Sequence, residues 1–121
     1  GLWAITAAVY LSVMGPQGMK DLGETILKKS AYAKKMLSQI PGVRLLFQPS
    51  TAFQEFVLNF DESGKSVSEV NKRLLEDHKI FGGVDLSKHY DLGQSALYCV
   101  TEKTSQEQID RLCNALKSIL A

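Results

Sequence analysis

The residues whose types permit chemistry are few and scattered. His78 and His89 are the only two histidines, and neither has carboxylates or thiolates set at metal-ligand spacing around it. They read as a helix-end histidine and a loop histidine. Cys99 alternates with Leu97 and Thr101 in a strand-like stretch, and Cys113 follows Leu112 on the apolar side of a helical one. A reactive thiolate needs exposure and a neighbouring positive charge, so both are expected to be small buried hydrophobes. Gly82-Gly83 has the composition to present backbone N–H groups to an anion, but with no helix following directly it reads as a turn that needs positive φ. Lys28, Lys29, Lys34 and Lys35 have the charge to meet an acidic partner, yet their helical spacing favours a solvated face. The sequence assembles no self-sufficient active site, so the expected sets of catalytic, cofactor-binding and metal-ligating residues are all empty.

The chain of 121 residues has the size of one domain. Its 45% hydrophobic and 22% charged residues, with 3 Pro and 9 Gly, exclude a disordered or collagen-like chain. A net charge of +1 lacks the excess that drives phosphate-backbone binding, so nucleic acid is not an expected partner. Two cysteines are too few for a disulfide framework, which favours a reduced, cytoplasmic setting. Leu2 to Met14 is apolar except for Thr6 and Ser12. It is shorter than the roughly 20 residues of a bilayer span and lacks the positive leader of a signal peptide, so no membrane partner is expected. A helix apolar on all sides must be enclosed on all sides. The chain is therefore expected to be a piece of a longer protein whose larger body covers this helix.

Gly15-Pro16 suits a break between two helices. Met19, Leu22, Ile26, Ala33, Leu37 and Ile40 then recur at helical spacing, with Asp21 and Glu24 early and the lysines late, as the helix dipole favours. After Pro41-Gly42 the period falls to two, predicting strands over Val43 to Phe47 and, beyond a loop at Gln48-Pro49-Ser50, Phe56 to Phe60. Ser66 and Glu69 predict a capping box for a helix with Val67, Val70 and Leu74 inward, ending near His78. An irregular stretch from Gly82 to Gly93 precedes a strand over Ala96 to Thr101. Either Thr104 with Glu107 or Ser105 with Gln108 caps the last helix, whose buried stripe is Ile109, Leu112, Leu116 and Ile119. The expected fold class is α+β: a helix pair over 1–40, then over 41–121 a small, mainly antiparallel sheet with helices on one face.

Four stretches carry a resemblance that spans essentially the whole chain. They are Ala7-Ala8-Val9-Tyr10-Leu11 through Gly15 and Gly18; Phe53-Gln54-Glu55-Phe56-Val57; Leu74-Leu75-Glu76 with Ile80-Phe81-Gly82-Gly83-Val84-Asp85-Leu86-Ser87-Lys88 and Tyr90; and Cys99-Val100-Thr101-Glu102-Lys103-Thr104 leading to Glu107 and Ile109-Asp110. In that order and spacing they resemble the C-terminal domain of glycine dehydrogenase (decarboxylating) subunit 1, from the P-protein family of the glycine cleavage system in its two-subunit bacterial form.

The resemblance implies the small C-terminal domain of a fold type I enzyme dependent on pyridoxal phosphate, an oxidoreductase of glycine catabolism. It implies that the parent complex decarboxylates glycine and passes the aminomethyl group to the lipoyl arm of the H-protein. The cofactor would be bound through a lysine of subunit 2, leaving none in this chain, which would be a non-catalytic assembly domain and inactive alone. Implied partners are subunit 2, the H-protein through the complex, and the chain's own large domain; the bare apolar helix adds self-association. The sequence departs from such relatives in two places: Ala96 to Thr101 holds no arginine to clamp a substrate carboxylate, and Asp77-His78-Lys79 stands where a glycine usually ends the third helix. Two other readings of the same pattern are a regulatory or oligomerisation α+β module and the small domain of another pyridoxal-phosphate enzyme, an aminotransferase or desulfurase.

Overall fold

The structure, a computed structural model, describes residues 1–48, 50 and 52–121; Pro49 of the expected loop lies outside the described residues. Helix α1 spans Leu2–Leu37 and is broken at Gly15, whose φ of 64° and ψ of 176° are open only to glycine at low cost. Pro16 follows and restarts the helix without needing an N–H partner. The two arms are thus the expected helix pair. Strand β1 (Arg44–Leu45) pairs with β2 (Glu55–Asn59), β2 with β4 (Ser95–Cys99), and β4 with β3 (Val84–Asp85), every pair antiparallel, in the order β1-β2-β4-β3. Helix α2 (Val67–His78) joins β2 to β3, and α3 (Gln106–Leu120) closes the chain.

One core lies between the sheet and the helices. Phe56, Leu58 and Phe60 from the β2 region and Ala96, Tyr98 and Val100 from the β4 region point into it. They meet Val67, Val70 and Leu74 of α2, Ile109, Cys113, Leu116 and Ile119 of α3, and Ala33 and Leu37 of the second arm of α1. All three helices therefore cover the same sheet face, the one-sided cover that strand alternation implies. Antiparallel α2 and α3 are also tied end to end: Arg73 donates to the Ile119 carbonyl at 3.2 Å, and Arg111 donates to the His78 carbonyl.

Several local expectations are corrected. β1 stops at Leu45 because Phe47 takes a φ of 59° and turns off the sheet, leaving its ring 60% exposed. The stretch from Gly82 to Gly93 is not wholly irregular, since Val84 and Asp85 form an edge strand too short to show a period. The Ser66 cap is half of the expected box: its Oγ accepts from the Glu69 N–H at 3.1 Å, while the Glu69 carboxylate turns to Lys65 at 3.3 Å. For α3 the choice falls on Ser105 with Gln108, a complete box, and Thr104 instead accepts the Thr101 N–H. Lys79 fills the place of the missing glycine in the left-handed conformation (φ 55°), and the Lys79 and Ile80 amides close the end of α2 on Leu75 and Leu74 carbonyls.

Candidate functional site

The sequence candidates do not converge. His78 ends α2 and His89 is exposed on the loop between β3 and β4. Among the described residues no group of three His, Cys, Asp or Glu side chains is placed to hold a metal ion. Cys113 is buried in the core as expected, and burial raises its thiol pKa. Cys99 is not buried: it stands on the strand edge away from the helices, opposite Glu55, and is exposed. The alternation that predicted a buried face was right in period and assigned Cys99 to the wrong side. Gly82 and Gly83 are also corrected, because neither has positive φ. A Cβ on Gly82 would lie 2.0 Å from Asn71 Oδ1, and one on Gly83 would lie 2.6 Å from the Tyr98 ring and 2.7 Å from the Leu97 carbonyl. The glycines admit close packing under α2, and Asn71 Nδ2 seals it by donating to the Gly83 carbonyl at 2.8 Å.

Of the four lysines along α1, Lys28 and Lys35 are exposed and Lys29 and Lys34 half-buried, so the expected solvated face holds only in part. Lys28 pairs with Glu24 at 3.5 Å, and Lys29 reaches across to donate to the Glu102 carbonyl at 2.5 Å. Beside Lys29, Tyr32 donates to Asp110 at 2.6 Å, which raises the Tyr32 pKa. These contacts fasten the second arm of α1 to α3 and leave a shallow groove between them.

Two features that sequence reasoning missed stand on the sheet. Asn59, fully buried, donates from Nδ2 to Asp61 at 2.8 Å, to the Leu92 carbonyl at 3.1 Å and to Ser95 Oγ at 3.1 Å. Asp61 in turn accepts the Gln94 N–H at 2.8 Å, and Gln94 Oε1 accepts the Val67 N–H at the start of α2. The Gln94 and Asn59 hydrogen bonds hold the Asp61 carboxyl below the usual carboxylate range, and Ser87 does the same for Asp85. An Asn one residue before the end of an apolar strand, two before an Asp, was the available signal. The second feature is a cross-strand row on the face away from the helices. Register puts Val84 beside Leu97, and Leu97 beside Val57. Leu46 follows, its N–H donating to the Val57 carbonyl at 3.0 Å. Apolar Val57 and Leu97 at positions where a solvated face would be polar were the signal.

The first arm of α1 completes the inventory. Trp3 is 86% exposed, and Leu2, Ile5, Val9, Tyr10, Leu11 and Val13 are exposed as well. Thr6 and Ser12 donate to the carbonyls four residues back, so even the two polar side chains turn their donors inward. Together these features define a small α+β domain that leaves the apolar residues of its first helical arm exposed. The chain belongs to the glycine cleavage system P-protein family, whose model matches residues 1–116.

Similarity to individual proteins agrees. The chain is 42% identical over 119 residues to the probable glycine dehydrogenase (decarboxylating) subunit 1 of Desulforamulus reducens, covering 98% of this chain and 26% of that protein. It is 39% identical over 119 residues to the corresponding protein of Thermococcus onnurineus, covering 98% and 25%. The crystal structure of glycine decarboxylase (P-protein) of the glycine cleavage system, in inhibitor-bound form, superposes with a TM-score of 0.78 at 26% identity, covering 93% of this chain and 24% of that one. The L-threonine-O-3-phosphate decarboxylase of Porphyromonas gingivalis shares the fold, with a TM-score of 0.70 at 18% identity over 97% of this chain and 33% of that one. The chain thus spans about a quarter of the length of the curated relatives it matches.

Proposed function

We propose that this chain is the non-catalytic small domain of a P-protein subunit 1, an assembly element of an enzyme that decarboxylates glycine with pyridoxal phosphate and transfers the aminomethyl group to the lipoyl arm of the H-protein. The observation that carries the reading is the match over nearly the whole chain to a quarter of glycine dehydrogenase (decarboxylating) subunit 1. In this reading residues 1–40 link to the protein's own large domain and 41–121 form the small domain. Subunit 2 is the companion that supplies the cofactor lysine, the complex works in the cytoplasm on glycine breakdown, and the bare arm also drives self-association. Among the described residues, no helix is long and apolar enough to cross a membrane.

Pyridoxal phosphate supplies the electron sink for decarboxylation where it is bound. The residues here do not fit it. Every lysine is exposed or half-exposed, and Lys29, Lys65 and Lys79 already hold Glu102, Glu69 and Glu76 oxygens. The test is to incubate this chain with pyridoxal phosphate and glycine, trap with borohydride and map the lysines. Scattered, substoichiometric labelling is expected. Stoichiometric labelling of one lysine, with a spectral change on adding glycine, overturns the non-catalytic reading. Titration with free amino acids checks it from another side, since a regulatory sensor would bind one of them and an assembly domain would bind none.

A further inference from the structure

We propose that Phe81-Gly82-Gly83 is a strap with two positions, closed in this structure over the Tyr98 phenol and the Asn71 side-chain carbonyl, and lifting as a unit to admit water to both. The ends of the strap are fixed. Ile80 donates to the Leu74 carbonyl at 3.0 Å and packs on the core, and Val84 pairs with Leu97 in the sheet. Among the described residues, the Phe81, Gly82 and Gly83 amides between them donate no backbone hydrogen bond, and the one polar tie on the segment is the 2.8 Å bond from Asn71 Nδ2 to the Gly83 carbonyl.

What lies beneath the strap sets the balance. Gly83 stands beside Tyr98 across the β3–β4 pair, so close that a Cβ on it would meet the ring at 2.6 Å. Gly82 stands against Asn71, where a Cβ would meet Oδ1 at 2.0 Å. The closed strap thus seals two oxygens at once. Tyr98 is only 8% exposed, with its ring stacked beside Phe56, and its hydroxyl has no hydrogen-bond partner. Asn71 Oδ1 is equally buried and has none either. Turning the Asn71 amide over offers no escape, because an oxygen would then face the Gly83 carbonyl. Burial pushes the Tyr98 phenol up to about 12, and although the Gly83 amide offsets this in part, no hydrogen bond closes between them. A polar atom buried without a partner forfeits more than an ordinary hydrogen bond returns. Closing therefore makes one hydrogen bond and strands two oxygens. Lifting breaks the Asn71 tie but exposes little apolar surface, since two of the three residues have no side chain and Phe81 is already 87% exposed. The glycines leave the backbone free to swing, so the segment opens locally without unfolding the domain. Phe81 travels with the strap. A protein surface that holds its ring in one position selects that position, and Tyr98 carries the change into strand β4.

The test uses the full chain, with circular dichroism confirming that each variant stays folded. Tyr98→Phe removes one stranded oxygen and keeps the ring. A higher urea midpoint is expected, and the Asn71 side-chain amide, followed by magnetic resonance, should exchange with water about tenfold more slowly because the strap opens less. Gly82→Ala acts the other way, since its methyl group has no room in the closed position. Nitration of Tyr98 by tetranitromethane, mapped by mass spectrometry with exposed Tyr90 as the internal reference, should then run about tenfold faster than in the parent. A lower or unchanged midpoint for Tyr98→Phe means that the hydroxyl has a partner and overturns the proposal. So does an Asn71 exchange rate that Tyr98→Phe leaves unaltered, or a folded Gly82→Ala chain in which Tyr98 is nitrated no faster. If Gly82→Ala does not fold, the two Tyr98→Phe measurements decide alone.

Discussion

The first arm of α1 and helix α3 are of similar length and opposite fate. Helix α3 carries a complete Ser105–Gln108 cap and buries Ile109, Cys113, Ala115, Leu116 and Ile119 along one stripe, with charge on its outer side. The arm has more apolar residues, no side-chain cap and no buried residue among 2–13. Apolar content alone did not produce burial. A stripe aimed at one surface did, because a small domain covers one side of a helix and no more. Helix α3 is part of this domain's own stability, while the arm leaves its apolar surface exposed.

Substitution along the two helices gives the widest separation between them. Leu116→Ala in α3, at a fully buried site, is expected to cost about 2–5 kcal/mol. Leu11→Ala in the exposed arm should stay within about 0.5 kcal/mol at concentrations where the chain is monomeric. Urea denaturation of the two variants measures both. Equal losses would mean that the arm is packed within its own chain, which would erase the contrast. Gly83→Ala is next: its Cβ has nowhere to go between the Tyr98 ring and the Leu97 carbonyl. A loss of about 1–3 kcal/mol is expected from overpacking. A neutral result would restore the reading of this glycine pair as a free turn.

Much of the α3 side of the contrast was legible in the sequence. The three- and four-residue spacing placed Val67, Val70 and Leu74 of α2 and Ile109, Leu116 and Ile119 of α3 inward, with Leu112 only partly buried, because apolar periodicity and burial have one cause. The Phe56, Leu58 and Phe60 face followed in the same way. The strand ends were less legible: Phe47 leaves β1 through a positive φ that its residue type does not announce, and a strand as short as Val84–Asp85 has no period to read. Cys99 was misassigned because the sequence gives the alternation of a strand but not which side the helices take. The Asn59 and Asp61 network left only a faint signal in the sequence, since its partners Leu92, Gln94 and Ser95 come from more than thirty positions away and meet only in the folded sheet.

Smaller effects sharpen the contrast at the helix ends. Ser105→Ala removes the α3 cap and is expected to cost about 1 kcal/mol, whereas Ser12→Ala in the arm frees only a back-bonded hydroxyl and should be silent by the same thermal melt. Lys79→Gly should raise stability by about 1 kcal/mol, since glycine carries no penalty in the left-handed conformation that Lys79 now occupies. A loss instead would mean that the Lys79 ammonium on the Glu76 carbonyl outweighs the backbone strain. The response to acid belongs to the sheet side. Asp61 and Asp85 are held below their unfolded pKa, so their contribution is fully present above about pH 4 and fades as pH falls through their folded values. Asp61→Asn should flatten the acid limb of a stability profile, and an unchanged limb would show that the network carries no charge-dependent stability.

The most direct measurement uses Trp3, the single tryptophan of the chain and one of its most exposed side chains. Its emission is followed as the full chain is concentrated, and again as the companion subunit of a two-subunit P-protein is added at fixed dilution. An arm that exists to be covered by another protein body gives a water-exposed spectrum when dilute and a blue shift as a partner covers it. A spectrum already blue at the lowest concentration, or one that stays red with both partners in excess, would contradict the account.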